Sequence, residues 1–109
     1  MKALLKRVGE CPRFINLPNE YAAFKEILDG EPVAAPLEVG CLVVVEDKTG
    51  GQKPKNFPVK NYFINGDALI VSYRHIIFEG ITEEEANRVV ERYFPEYAAE
   101  YRLREKRGV

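Results

Sequence analysis

The sequence predicts a single α+β domain: a mostly antiparallel sheet of about five strands packed with two main helices, then a C-terminal helical extension. Three observations carry that expectation. At 109 residues the chain has room for one core. The run Cys41-Leu42-Val43-Val44-Val45 is apolar, largely β-branched and free of polar alternation, as in a strand covered on both faces. Two stretches, 20–29 and 82–93, instead repeat their apolar residues at helical spacing. The domain is placed at 1–94 and the extension at 95–109.

Residues 2–8 alternate weakly and read as a strand. Gly9-Glu10-Cys11-Pro12 is a turn, and Arg13–Leu17 is the returning arm of a hairpin closed by Pro18. Asn19 is the expected N-cap of a helix over 20–29. Tyr21, Phe24, Ile27 and Leu28 form its stripe, and Gly30 supplies its stop. Pro32 and Pro36 confine the next segment to an edge strand around Val33–Leu37. After the buried run, residues 46–58 read as a long exposed loop, with paired glycines and two prolines. Asn65-Gly66 predicts a hairpin turn setting Tyr62 opposite Leu69 and Phe63 opposite Ala68, with a bulge in one continuous strand as the competing reading. Arg74–Glu79 holds a further short strand. Thr82-Glu83-Glu84-Glu85 is a capping box, and Ala86, Val89, Val90 and Tyr93 form the stripe behind it. Pro95 ends that helix and starts the extension, which frays toward Val109.

The balance of charge narrows the function classes. A net charge of -1 argues against nucleic-acid binding driven by overall charge, although a local patch can still act. The longest apolar run is too short for a membrane span or a secretion signal, so the expected location is cytoplasmic. In that compartment Cys11 and Cys41 are expected to stay as buried thiols.

Reactive constellations are scarce. Ser72 is the one serine and His75 the one histidine, and three residues apart on a strand they face opposite sides. Cys41 opens an apolar strand, where a thiol is inert. Two cysteines and a histidine do not make a zinc site, and Glu83–Glu85 are accounted for by helix capping. Thr49-Gly50-Gly51-Gln52-Lys53 lacks the spacing of a phosphate loop. No cofactor, no metal and no catalytic residue is expected, and an enzyme is the least favoured class. Lys53, Lys55, Asn56 and Lys60 form the best patch, where lysines beside Phe57 and amides suit a nucleotide-like ligand or nucleic acid. Tyr93, Tyr97 and Tyr101 at helical spacing are the candidate interface, with a host protein or with a second copy.

The order of features resembles a small uncharacterised prokaryotic family. The residues that carry the resemblance are Met1-Lys2-Ala3-Leu4-Leu5, Phe24–Gly30, Leu42–Glu46, the Asn56 loop, Asn65-Gly66 leading into Leu69-Ile70-Val71, and Ile81-Thr82-Glu83-Glu84. The family's members belong to phages, plasmids and conjugative elements, often near antirestriction-type genes. Here Phe57 follows the loop asparagine where the family often has a basic residue, and Ser72-Tyr73 stand in place of a usual glycine. The resemblance implies no activity. It implies an accessory protein of a mobile element. The expected function is a non-enzymatic binding protein that occupies a host protein, with a binder of a nucleotide-like ligand or nucleic acid through the basic loop 53–61 as the alternative.

Overall fold

The chain's longest strand organises the molecule. In the computed structural model, which describes residues 1–37 and 39–107, eight strands run in chain order: β1 (Lys2–Lys6), β2 (Arg13–Asn16), β3 (Pro32–Pro36), β4 (Leu42–Asp47), β5 (Lys55–Val59), β6 (Tyr62–Asn65), β7 (Ala68–Arg74) and β8 (Ile77–Glu79). The helices are α1 (Tyr21–Leu28), α2 (Glu83–Tyr93) and α3 (Ala98–Lys106). Strand β7 takes β4 on one side and β1, then β8, on the other, so the main antiparallel sheet reads β2-β1-β7-β4-β3 with β8 beyond the start of β1. The fold is α+β.

Strand periodicity divides the core into two layers. Leu5, Val45, Leu69 and Val71 point to one face, where Phe24 and Leu28 of α1 cover them. Leu4, Val44 and Ile70 point to the other, beneath Ala86, Val89 and Phe94 and beneath Phe57, Val59 and Ile64 of the β5–β6 hairpin. A side chain of this kind stabilises by roughly 1.5–3 kcal/mol when fully buried. Both faces are therefore buried over Leu42–Val45 of β4 and Ala68–Val71 of β7, as the apolar run there requires.

Several expectations are corrected. Residues 46–58 are not a long exposed loop: β4 continues to Asp47, a short 3-10 turn spans Gly50–Gln52, and β5 follows. Asn65-Gly66 is neither a hairpin turn nor a bulge, because β6 pairs with β5 in a separate two-stranded sheet. Gly66, at φ +77, is the corner at which the chain leaves that hairpin for the main sheet. Tyr62 accordingly faces Val59, and Phe63 faces Pro58.

Asn19 does not cap α1. Its Nδ2 donates to the Phe78 carbonyl, and Glu20 holds the N-cap position without a side-chain bond. Asp29, not Gly30, takes the left-handed C-cap at φ +50. Gly30 is small for a different reason: a Cβ there would lie 2.2 Å from Cγ of Asp47. Thr82 does form its capping box with Glu85. The extension packs into the core through Tyr101, which is 2% exposed, and its last two positions, 108 and 109, lie outside the described residues. Cys11 is buried as expected, whereas Cys41 is exposed, because β4 begins one residue later.

Candidate interaction surface

The basic segment is built into the fold from its first lysine onward. Asp47, at the end of β4, accepts hydrogen bonds from the Glu31 N–H at 2.9 Å and the Thr49 N–H at 3.0 Å. The Lys53 ammonium lies 3.0 Å from the same carboxylate. These contacts, the Thr49 amide first and then Lys53 and Glu31, hold the Asp47 carboxyl well below the usual range. Lys53 Nζ also donates to the carbonyls of Leu28 at 3.0 Å and Asp29 at 2.7 Å, closing the end of α1. All of its donors are thus directed inward.

Asn56 is similarly occupied. It sits at an irregularity in the β5–β6 ladder, where its Nδ2 donates to the carbonyls of Lys6 and Gly66. Its Oδ1 accepts from Lys6 Nζ at 3.1 Å. Lys6 itself is 2% exposed, with its ammonium 5.0 Å from the Tyr97 ring and 5.7 Å from the Phe94 ring. Burial lowers its pKa. Lys53 and Asn56 therefore face away from any ligand on the outer surface. Lys55 and Lys60 lie outside. Lys55 rests over the exposed Phe63 ring at 4.9 Å, and Lys60 occupies the β5–β6 turn at φ +48. The structure separates the four predicted residues into an inner pair and an outer pair.

Of the tyrosine series, Tyr93 and Tyr97 are half-buried against the core that encloses Tyr101. Ser72 is buried and its Oγ accepts from Arg74 Nε at 3.2 Å. His75 lies beyond the strand, in the turn between β7 and β8. Among the described residues no group of three or more His, Cys, Asp or Glu side chains stands close enough to hold a metal ion, and no helix is long and apolar enough to cross a membrane.

The most exposed apolar side chains gather elsewhere. Helix α1 is eight residues long and covers only part of its sheet face. Beyond it, Phe78 of β8 bridges two aromatic neighbours, with ring centroids 5.7 Å from Phe24 and 5.6 Å from Tyr73. Phe78 lines two hollows. One, of about 220 Å³, lies toward Tyr21, Pro32 and Val33, and the other, of about 460 Å³, toward Ala35, Pro36 and Val43. The β7–β8 turn extends this surface. His75 and Ile76 have φ of +54 and +67, and Ile76 is 84% exposed. A β-branched residue in the left-handed region is strained by contact between its Cβ and its own backbone, at a cost on the order of 1–3 kcal/mol. Tyr73, paired with Phe78, is also exposed on this face, while Ile77, paired with Arg74, is exposed on the opposite one.

No family model matches this chain, and neither the curated proteins nor the solved structures contain a match to it. The surface is therefore read from its own chemistry.

Sequence reasoning missed this face because its members come from four distant segments, around 21, 33, 43 and 73–78. One local signal was present: Pro32 and Pro36 alternate with Ala34. Leu37 donates its N–H to the Leu42 carbonyl, so the residues of β3 that bond β4 are Val33, Ala35 and Leu37. The outward backbone positions are then Pro32, Ala34 and Pro36, two of which have no N–H. The edge is closed to a further strand, while the face beside it stays open.

Proposed function

We propose that this protein is a non-enzymatic binding protein that acts by occupying a host protein, as an accessory factor of a mobile genetic element working in the cytoplasm. The observation that carries the reading is the apolar face around Phe78, continued by the exposed Tyr73 of β7 and Tyr21 of α1. Contiguous exposed aromatic and aliphatic surface of this kind marks protein contacts. Strain at Ile76 adds to it, since a turn built for stability alone would carry Asn-Gly. The occupant is a partner segment bearing aliphatic or aromatic side chains. It packs on the face, because Pro32 and Pro36 deny it a ladder along β3. The mobile-element setting rests on the resemblance of residues 1–94 alone.

The test is capture from a bacterial lysate by the wild-type chain and by a Tyr21→Ser/Tyr73→Ser variant. The expected result is one partner retained at about 1 M salt, where the Debye length is ~3 Å, and lost at least tenfold in the variant. Retention equal in both, or self-association through this face in light scattering, would overturn the reading.

A second reading rests on a separate observation. Lys55, Lys60 and the exposed Tyr62 and Phe63 share the β5–β6 hairpin, a basic and aromatic pairing suited to single-stranded nucleic acid. It predicts binding that weakens steeply with salt and drops in Lys55→Ala/Phe63→Ala.

A further inference from the structure

The smaller of the two hollows beside Phe78 is aromatic. Tyr21 and Phe24 of α1 and Phe78 of β8 bring three rings to it, and Pro32, Ala34 and Val45 complete its lining. Exposure separates its floor from its mouth. Val45 and Phe24 are 0% and 3% exposed, whereas Tyr21 and Asn19 are open to solvent. The floor is therefore hydrocarbon, and the polar side chains stand at the mouth.

Those polar side chains are already engaged. The Tyr21 hydroxyl donates to the Glu31 carboxylate, which also has the Lys25 ammonium at 4.0 Å. That bond holds the exposed Tyr21 ring in place. Asn19 Nδ2 donates to the Phe78 carbonyl and ties the mouth to β8. Among the described residues none that lines the hollow is charged, and Lys25 balances Glu31 beside it, so the complementary occupant is neutral.

Size and lining narrow the occupant further. At about 220 Å³ the hollow falls below the ~300–1,000 Å³ of sites that enclose drug-sized ligands. It has room for one large side chain. The larger hollow also borders Ala34 and Phe78, so the segment carrying that side chain has apolar surface to continue along. Aromatic rings attract a further ring edge to face, beyond what the buried area supplies, and Phe24 and Phe78 already meet as a tilted pair at 5.7 Å. A tyrosine in the hollow would carry its hydroxyl down to the hydrocarbon floor, where it loses water and gains no partner.

We propose that this hollow takes a phenylalanine side chain of the partner protein as its anchor. The inference rests on the reading of the Phe78 face as a protein contact. Its test uses small probes on the isolated chain, so a face that captures its partner and ignores the phenyl probe defeats this inference alone.

The experiment is a titration of the isotope-labelled full chain, followed through the nuclear magnetic resonance signals of Val45 and Phe78. The probes are N-acetyl-phenylalaninamide, N-acetyl-leucinamide, N-acetyl-tyrosinamide and tetramethylammonium chloride. Millimolar N-acetyl-phenylalaninamide is expected to shift both signals saturably, with an affinity at least threefold tighter than the leucine and tyrosine analogues show. Tetramethylammonium, a cation suited to an aromatic cage, should leave the signals in place. Ala34→Leu fills the hollow from an exposed position and should weaken the phenylalanine analogue at least fivefold. The absence of a saturable shift, equal or tighter binding of any other probe, or an unchanged affinity in a folded Ala34→Leu would overturn the proposal.

Discussion

Asp47 is the residue on which the second half of the fold turns, because one carboxylate ties together Glu31, Thr49 and Lys53. Asp47→Ala leaves the Glu31 and Thr49 N–H groups without their acceptor, at about 1–3 kcal/mol for each group left unsatisfied, and should lower stability in urea unfolding accordingly. Lys53→Met should cost less, since Lys53 is partly exposed. The folded pKa of Asp47 is depressed. Its contribution is therefore full above the ordinary carboxylate range and is lost as pH falls below that range toward the folded value. A plot of Tm against pH should accordingly have a shallower acid limb in Asp47→Asn than in wild type. The two cysteines offer a second check. Burial, aided by Glu100, pushes the Cys11 thiol up to about 12, while Cys41 is exposed. A thiol reagent at pH 8 should modify one cysteine in the native protein and both in urea; rapid native modification of both would contradict the burial of Cys11. Little of this was legible in the chain. Lys53 and Asn56 read as ligand residues because their residue types suit phosphate and base, and only the fold shows that Leu28, Asp29 and Lys6 already occupy them.

Elements with local signals were legible, and those defined by distant pairing were not. The capping box at Thr82 is written in four consecutive residues and forms as expected; Thr82→Ala should cost about 1 kcal/mol in thermal unfolding. The helix stop at 29–30 was also readable, although Asp29 takes the turn and Gly30 makes room for Asp47. By contrast, Asn65-Gly66 is the strongest hairpin signal in the chain and turns no hairpin. Ile64 is drawn into the same layer as Phe57 and Val59, while Ala68–Arg74 is claimed by β1 and β4. The two-residue turns among the described residues fall instead at Lys60-Asn61 and at His75-Ile76, and the second has no turn signature at all. Replacing it with Asn-Gly should raise stability by roughly 1 kcal/mol or more by relieving the left-handed Ile76. The same change should weaken the proposed partner contact. A variant both less stable and unaltered in binding would contradict this account of the tip.

At the scale of the whole molecule, the two-layer core followed from composition and from the apolar run at 41–45, which needed cover on both faces. What the chain hid was how unequally that cover is shared. Helices α2 and α3 and the β5–β6 hairpin close one face, whereas the eight residues of α1 leave the other open around Phe78. The central claim is that this open face, not the basic hairpin, meets the partner. Its most direct test places a photo-crosslinking amino acid at Tyr73 in one chain and at Phe63 in another, both expressed in a bacterial host. The expected result is a discrete protein adduct at position 73 that persists at high salt, with none at 63. Adducts at 63 alone, or nucleic acid as the species captured, would contradict it.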